Sequence, residues 1–334
     1  MTMNNNRFAL GIDTSNYTTS AALYDLSENR IYQNRMLLPV KKGECGLRQS
    51  DAVFHHTRQL GKIINELFSE FAQPPEIEVV GVSARPRDQQ GSYMPCFTVG
   101  VNAANILGTV LGVPVFDFSH QMGHIAAAIF SAERVELYQK EFIAFHVSGG
   151  TTEAVLVRPD RENIFTAEIV GKTLDLHAGQ AVDRVGVRLG LDFPCGKELE
   201  ALALQCEKNV RVKPCVKNTD CCFSGIENIC SSLAEKGCDK AEIARTCLEF
   251  IEKTLEKMCG EIIDRYGEMP ILFAGGVMSD SIIRNGLARK FDCIFAKPEF
   301  SSDNACGTAV LAARKLLQRS VENELSCADG QSDQ

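Results

Sequence analysis

Two stretches of the chain share one grammar, and that repetition restricts the fold more than any other feature. "RFALGIDTSNYTTSAALYDL" (7–26) reads as an apolar strand, a turn rich in Ser, Thr and Asn, and a second apolar strand. "FIAFHVSGGTTEAVLVRP" (142–159) repeats it with a Ser-Gly-Gly-Thr-Thr tip. The turn residues Ser15 and Ser148 lie about one domain length apart, which predicts a duplicated α/β domain. Glycines and hydroxyls at both tips would let backbone N–H groups approach phosphate oxygens.

The intervening chain alternates. "AVFHHTRQLGKIINELFSEF" (52–71) has apolar residues at helical spacing, "IEVVGVSA" (77–84) reads as a short strand, 97–112 as a helix and 113–118 as a strand. After the second hairpin, 175–191 and 241–267 read as helices. "MPILFAGGVMSDSIIRNGL" (269–287) reads as a strand, a Gly-Gly turn and a helix, a common seat for a nucleotide. Such alternation predicts a mixed or parallel sheet. The polar, acidic segment 320–334 is expected to fray.

With 334 residues, 45% of them hydrophobic and 23% charged, the chain can build two domains around two cores, or one large one, without a partner. No charged n-region with an apolar run and cleavage site opens it, and no stretch reaches membrane-spanning length, so a cytoplasmic protein with no membrane association is expected. The 14 cysteines are scattered without a C-x-x-C, so they read as buried small hydrophobes or free thiols, Cys221 and Cys222 included. A net charge of −8 argues against coating of nucleic acid by bulk electrostatics. The locally basic "KNVRVKPCVK" (208–217) reads as a solvated loop or an RNA contact, the former favoured.

The histidines are the chemistry-bearing feature. In "DFSHQMGHIAAA" (117–128), His120 and His124 are four apart at the start of an expected helix with Ser119 as its N-cap, so both can face one ion or simply make a polar helix start. A metal needs a third ligand, and Asp303 in "EFSSDNACGTAV", before a small-residue helix that must pack closely on something, is a candidate. Two His and one carboxylate would leave positions open for substrate oxygens on zinc or ferrous iron.

In order along nearly the whole chain, these motifs resemble the TsaD or Gcp family of tRNA N(6)-threonylcarbamoyladenosine synthases, formerly described as O-sialoglycoprotein endopeptidases. "HQMGH" resembles the family's H-M-E-G-H and "SDNA" its T-D-N-A, which implies that His120, His124 and Asp303 hold one divalent metal, Fe2+ or Zn2+. The resemblance assigns substrate binding to Val147, Ser148, Gly149 and Gly150 (V-S-G-G), to Asp183 in "DLHAGQAVDRV", to Gly196 in "PCG", and to Asp280 in "GGVMSD", where the family has asparagine. The segment "CCFSG" (221–225) resembles the family's F-S-F-S-G.

The resemblance implies the actin-like ATPase fold (the ASKHA, or duplicated RNase H-like, class), with substrate in the cleft between two duplicated domains. We expect 1–130 with 300–320 as the first domain, 131–299 as the second, and 321–334 as a flexible tail. The implied reaction transfers a threonylcarbamoyl group from threonylcarbamoyl-adenylate to N6 of adenosine 37 in ANN-decoding tRNAs, releasing AMP. Implied partners are threonylcarbamoyl-adenylate or ATP/AMP, tRNA, a homologous actin-like subunit and a small ATPase.

The chain departs from the family at several places. Tyr17 and Thr18 stand where the family has an acidic pair, Thr151 replaces a histidine, Leu176 an aspartate and Gln180 a glutamate. The family's G-P-G loop has become "RPRDQQGSYMP" (85–95). A divergent paralogue, either a carbamoyl or phosphoryl transferase on another acceptor or a non-catalytic nucleotide-binding subunit, is therefore the alternative. A metalloprotease is not expected, since Gln121 stands where H-E-x-x-H enzymes hold their general base.

Overall fold

A computed structural model describes residues 7–15, 17–39, 47–300 and 305–329, with side chains to 321. The chain divides into two compact units: Met1–Val135 with Asp160–Thr166 and Asp303–Gln334, and Glu136–Pro159 with Ala167–Ser302.

In the first unit, β1 (Arg7–Asp13) pairs antiparallel with β2 (Thr18–Asp25), which pairs with β3 (Arg30–Leu37). Helix α1 (Gln49–Phe68) leads to β4 (Glu76–Arg85), parallel to β1, and α2 (Phe97–Leu111) leads to β5 (Val115–Ser119), parallel to β4. The sheet order is β3-β2-β1-β4-β5. Helix α1 buries Ala52, His56, Leu60, Ile63 and Leu67, one stripe at helical spacing; Leu60, Ile63 and Leu67 join a core built on Phe8, Leu10, Ile12 and Val80, and Ala52 packs with Leu38, Cys96 and Phe97. Helix α3 (His120–Ser131) follows β5 without a linker.

The second unit repeats this plan. Strand β6 (Phe142–Val147) pairs antiparallel with β7 (Thr152–Asp160), and β8 (Ile164–Lys172) follows at the edge. Helices α4 (Ala178–Arg188) and α5 (Gly196–Ala203) precede a small hairpin of β9 (Val216–Lys217) and β10 (Asp220–Cys221). Then come α6 (Gly225–Glu235), α7 (Lys240–Tyr266), β11 (Ile271–Ala274), α8 (Ser281–Ala288) and β12 (Cys293–Phe295). The order β12-β11-β6-β7-β8, with β11 parallel to both β6 and β12, matches the first sheet strand for strand. The expected duplication is thus present in topology.

The last helix, α9 (Cys306–Asp329), returns to the first unit and lies on β1, β4 and α3. Small residues permit that approach. A Cβ on Gly11 would come within 2.6 Å of the Ala309 nitrogen, and one on Gly81 within 2.6 Å of the Thr308 carbonyl. On Gly307 it would come within 2.7 Å of the Ala127 nitrogen and closer still to the Gly123 carbonyl. The helix continues through 320–329, where the sequence reading expects a frayed tail. Glu, Leu and Ala in "SVENELSCAD" are strong enough helix formers to extend a helix already nucleated.

Among the described residues, no helix is long and apolar enough to cross a membrane. The described cysteines are unpaired by disulfides, seven of them buried (96, 195, 221, 230, 247, 259 and 306).

Candidate functional site

In parallel sheets ligands bind beyond the carboxyl ends of strands, where the order reverses. In the first unit that point lies at β1, β4 and β5, and each supplies a polar residue there. Asp13 ends β1, Ser83 lies near the end of β4, and Ser119 ends β5.

Ser119 is the N-cap of α3, as expected. Its Oγ accepts from the Met122 N–H (3.2 Å) and donates to Asp88 Oδ2 (2.8 Å). Asp88 also takes the Arg85 guanidinium on its other oxygen, at 2.9 and 2.5 Å. The loop that replaces the family's G-P-G segment therefore steadies the start of α3.

His120 and His124 occupy the first turn of α3 with ring centroids 4.3 Å apart. His120 Nδ1 lies 2.8 Å from Asp13 Oδ2, and its Nε2 lies 3.4 Å from Ser15 Oγ. Asp13 is 1% exposed. It also accepts from Ser15 N–H (2.8 Å) and Ser83 Oγ (2.5 Å). Burial pushes its carboxyl up, but the His120 charge and the hydrogen bonds from His120, Ser15 and Ser83 together outweigh that, holding it below the ordinary range.

A buried carboxylate on Nδ1 fixes an imidazole's orientation, so that Nε2 is the atom able to serve a metal. Two imidazoles one helical turn apart, one of them oriented in this way, fit a divalent transition metal. The third expected ligand, Asp303, lies outside the described residues. Among the described residues, no group of three His, Cys, Asp or Glu side chains could hold an ion by itself.

Asp13 went unread in the sequence. A carboxylate closing the apolar run "FALGID" was its signal, because burial there demands a charged or hydrogen-bonding partner.

At the altered hairpin tip, Tyr17 is exposed and Thr18 is buried. Neither residue carries charge.

In the second unit, Val147 ends β6, and Ser148 opens a tight turn. Its N–H donates to the Thr151 carbonyl (2.7 Å), and its Oγ accepts from the N–H groups of Gly150 (3.3 Å) and Thr151 (3.1 Å). Gly149 and Gly150 are exposed, with nothing within 4 Å of where a Cβ would sit. Two elements press on the turn from the protein side. The Gly179 N–H at the start of α4 donates to the Ser148 carbonyl (3.1 Å), and Gly275 (φ +105°) lies against Val147. A Cβ on Gly179 would come within 2.5 Å of the Gly149 nitrogen, so this junction requires glycine.

Asp183 Oδ1 accepts from the Cys195 N–H (2.9 Å), which ties α4 to the start of α5, where Gly196 is exposed. A cavity of about 440 Å³ is lined by Gln180, Asp183, Arg184, Val187, Phe193 and Glu227.

Asp280 is the N-cap of α8, with Oδ1 accepting from Ile282 (2.9 Å) and Ile283 (3.0 Å) N–H. Its buried Oδ2 meets no hydrogen-bond partner among the described residues. Burial pushes the carboxyl up to about 6, and nearby Glu200 adds to the shift. Its visible work is capping. In the basic segment, Lys208 pairs with Glu242 at 2.5 Å on the surface.

The class follows from these facts. Two copies of a five-stranded mixed sheet, each with polar turns at its strand ends, form the actin-like ATPase fold. A full-length HypF structure, in its phosphate- and nucleotide-bound form, superposes with a TM-score of 0.58 at 13% identity, covering 94% of this chain and 56% of that one. The chain belongs to the TsaD family, whose model, described as tRNA N6-adenosine threonylcarbamoyltransferase, matches residues 39–310.

A probable bifunctional tRNA threonylcarbamoyladenosine biosynthesis protein of Methanosarcina mazei is 27% identical over 335 residues, with 96% of this chain and 56% of that protein covered. A tRNA N6-adenosine threonylcarbamoyltransferase of Buchnera aphidicola is 27% identical over 330 residues, with 93% and 94% covered. The chain thus spans little more than half the length of the bifunctional relatives it matches.

Proposed function

We propose that this protein transfers a threonylcarbamoyl group from threonylcarbamoyl-adenylate to N6 of adenosine 37 in ANN-decoding tRNAs. The observation that carries the reading is the His120–His124 pair, with His120 oriented by buried Asp13, at the carboxyl ends of β1 and β5. His120 and His124, with Asp303, would hold one divalent metal, Fe2+ or Zn2+. When bound, it would supply positive charge toward the threonyl and carbamoyl oxygens.

The chain's own residues bind and orient. The exposed main chain of Gly149 and Gly150 admits a substrate at backbone distance. The cavity beside Asp183 offers a carboxylate to sugar hydroxyls and the apolar Val187 and Phe193 to a base. In the reaction the acceptor amine attacks the carbamoyl carbonyl carbon, and the bond from that carbon to the phosphate oxygen breaks. The amine gives up a proton and AMP departs.

The test is incubation with threonylcarbamoyl-adenylate, an ANN-decoding tRNA, a homologous actin-like subunit and the small ATPase, followed by nucleoside mass spectrometry. The reading expects threonylcarbamoyladenosine, and its absence would overturn the reading.

One observation favours a second reading. Tyr17 and Thr18 do not bring the two negative charges of a carboxylate pair to the first hairpin tip. A paralogue acting as a carbamoyl or phosphoryl transferase on another acceptor predicts ATP turnover stimulated by a small metabolite and indifferent to tRNA.

A further inference from the structure

The hairpin β9–β10 brings two thiols face to face. Its register pairs Lys217 with Asp220 and Val216 with Cys221, so the next pair outward is Cys215 with Cys222. The Cys222 N–H donates to the Cys215 carbonyl at 3.0 Å. The Cys215 N–H donates instead to Thr254 Oγ1 (3.4 Å). Residues directly opposed across an antiparallel ladder have Cα atoms about 4.5–5.5 Å apart and side chains on one face, inside the range a disulfide spans. Cys215 is exposed and Cys222 half-buried, whereas the neighbouring Cys221 is fully buried.

What this hairpin holds gives the pair its meaning. Its second strand is laced to residues 172–176 along its length. Lys172 N–H donates to Asp220 Oδ1 (2.9 Å), and Leu174 N–H to the Cys221 carbonyl (2.8 Å). Phe223 and Ser224 N–H donate to the Asp175 carboxylate at 2.8 and 3.2 Å. Residues 175–178 then run straight into α4, whose Gly179 supports the Ser148–Gly150 turn.

We propose that Cys215 and Cys222 are a reversible modification site for low-molecular-weight disulfides, and that closing their disulfide stiffens the segment that carries α4 and the Ser148 turn. The exposed Cys215 thiolate attacks one sulfur of the small disulfide, whose S–S bond breaks and whose other half leaves as a thiol after taking a proton. Cys222 then attacks the Cys215 sulfur and displaces the second small thiol. Two electrons and two protons pass from the protein dithiol to the small disulfide. The order of attack follows from the environment. Burial first, and then Asp175 and Cys215 itself, push the Cys222 thiol above its ordinary range, so the exposed partner begins.

The test uses the reduced full chain and oxidised glutathione as the probe, followed by alkylation and digestion. Trypsin cuts after Lys217, so fragments carrying Cys215 and Cys222 stay joined only through a disulfide. The expected result is a joined pair two hydrogens lighter than its parts, and several-fold slower hydrogen exchange over 172–178, both reversed by a thiol reductant. Cys222→Ser should retain one glutathione on Cys215 and show no link. Separate fragments, when half-buried Cys206 or Cys238 has taken up glutathione, would overturn the site. A link with unchanged exchange would overturn the stiffening. Neither readout requires tRNA or transfer activity, so failure here is separable from failure of the proposed reaction.

Discussion

At Asp280 one carboxylate is held in two opposing environments. Two backbone N–H groups at the start of α8 favour its charge, and burial opposes it more strongly, leaving the group near 6. Between about pH 3.8 and 6 the folded chain therefore holds a proton that the unfolded chain, with an ordinary carboxylate near 3.8, has lost. The stabilising contribution of that proton is fully present below about 3.8 and is lost as pH rises through about 6. Asp280→Asn keeps a capping oxygen and removes the charge. We expect the variant to be more stable than the wild type at pH 7 by roughly 1–3 kcal/mol, with the gap closing toward pH 4. Urea unfolding at both pH values measures it, and a variant less stable at pH 7 would contradict this view of the residue. Asp13 is the contrasting case, a more deeply buried carboxylate held low because His120, Ser15 and Ser83 all bond to it. The difference between the two lies in partners, and partners are what a linear sequence conceals.

Among the elements, α9 does the most to set the first unit's geometry, through glycines that let it touch β1, β4 and the first turns of α3. Gly307→Ala would place a methyl against the Gly123 carbonyl and the Ala127 nitrogen, both backbone atoms of α3 that cannot swing aside. Overpacking of this kind costs about 1–3 kcal/mol. We expect a lowered urea midpoint with an unchanged slope, whereas an unchanged midpoint would mean α9 sits further from α3 than described. The close packing was legible in "ACGTAV", and both hairpins were legible from their alternation of apolar strand and hydroxyl turn. Strands β3 and β8 were not read, because "RIYQNRML" and "IFTAEIVGK" mix polar and apolar residues as edge strands do. The helix read at 175–191 begins only at Ala178, because the Asp175 side chain accepts from the N–H groups of Leu176, Phe223 and Ser224 and holds that segment off the helix. Such a long-range tie leaves no local trace.

At the scale of the whole molecule, one architecture is used twice with different chemistry at its strand ends. The first copy carries imidazoles and a buried carboxylate, and the second carries glycine-rich turns and a cavity lined by Asp183. The duplication predicts two sheets, and the unequal residues predict one metal per chain rather than two. The histidines and the Ser-Gly-Gly turn were readable as motifs. The bond from Asp13 to His120 was not, because 107 positions separate the two residues. That imidazole pair, as a metal centre, is what would give the first unit its chemistry. Metal analysis of freshly purified protein beside a His120→Ala/His124→Ala variant tests it most directly. About one transition-metal ion per wild-type chain, lost from a variant that still folds, is the expected result. Equal metal content in the two proteins would contradict it.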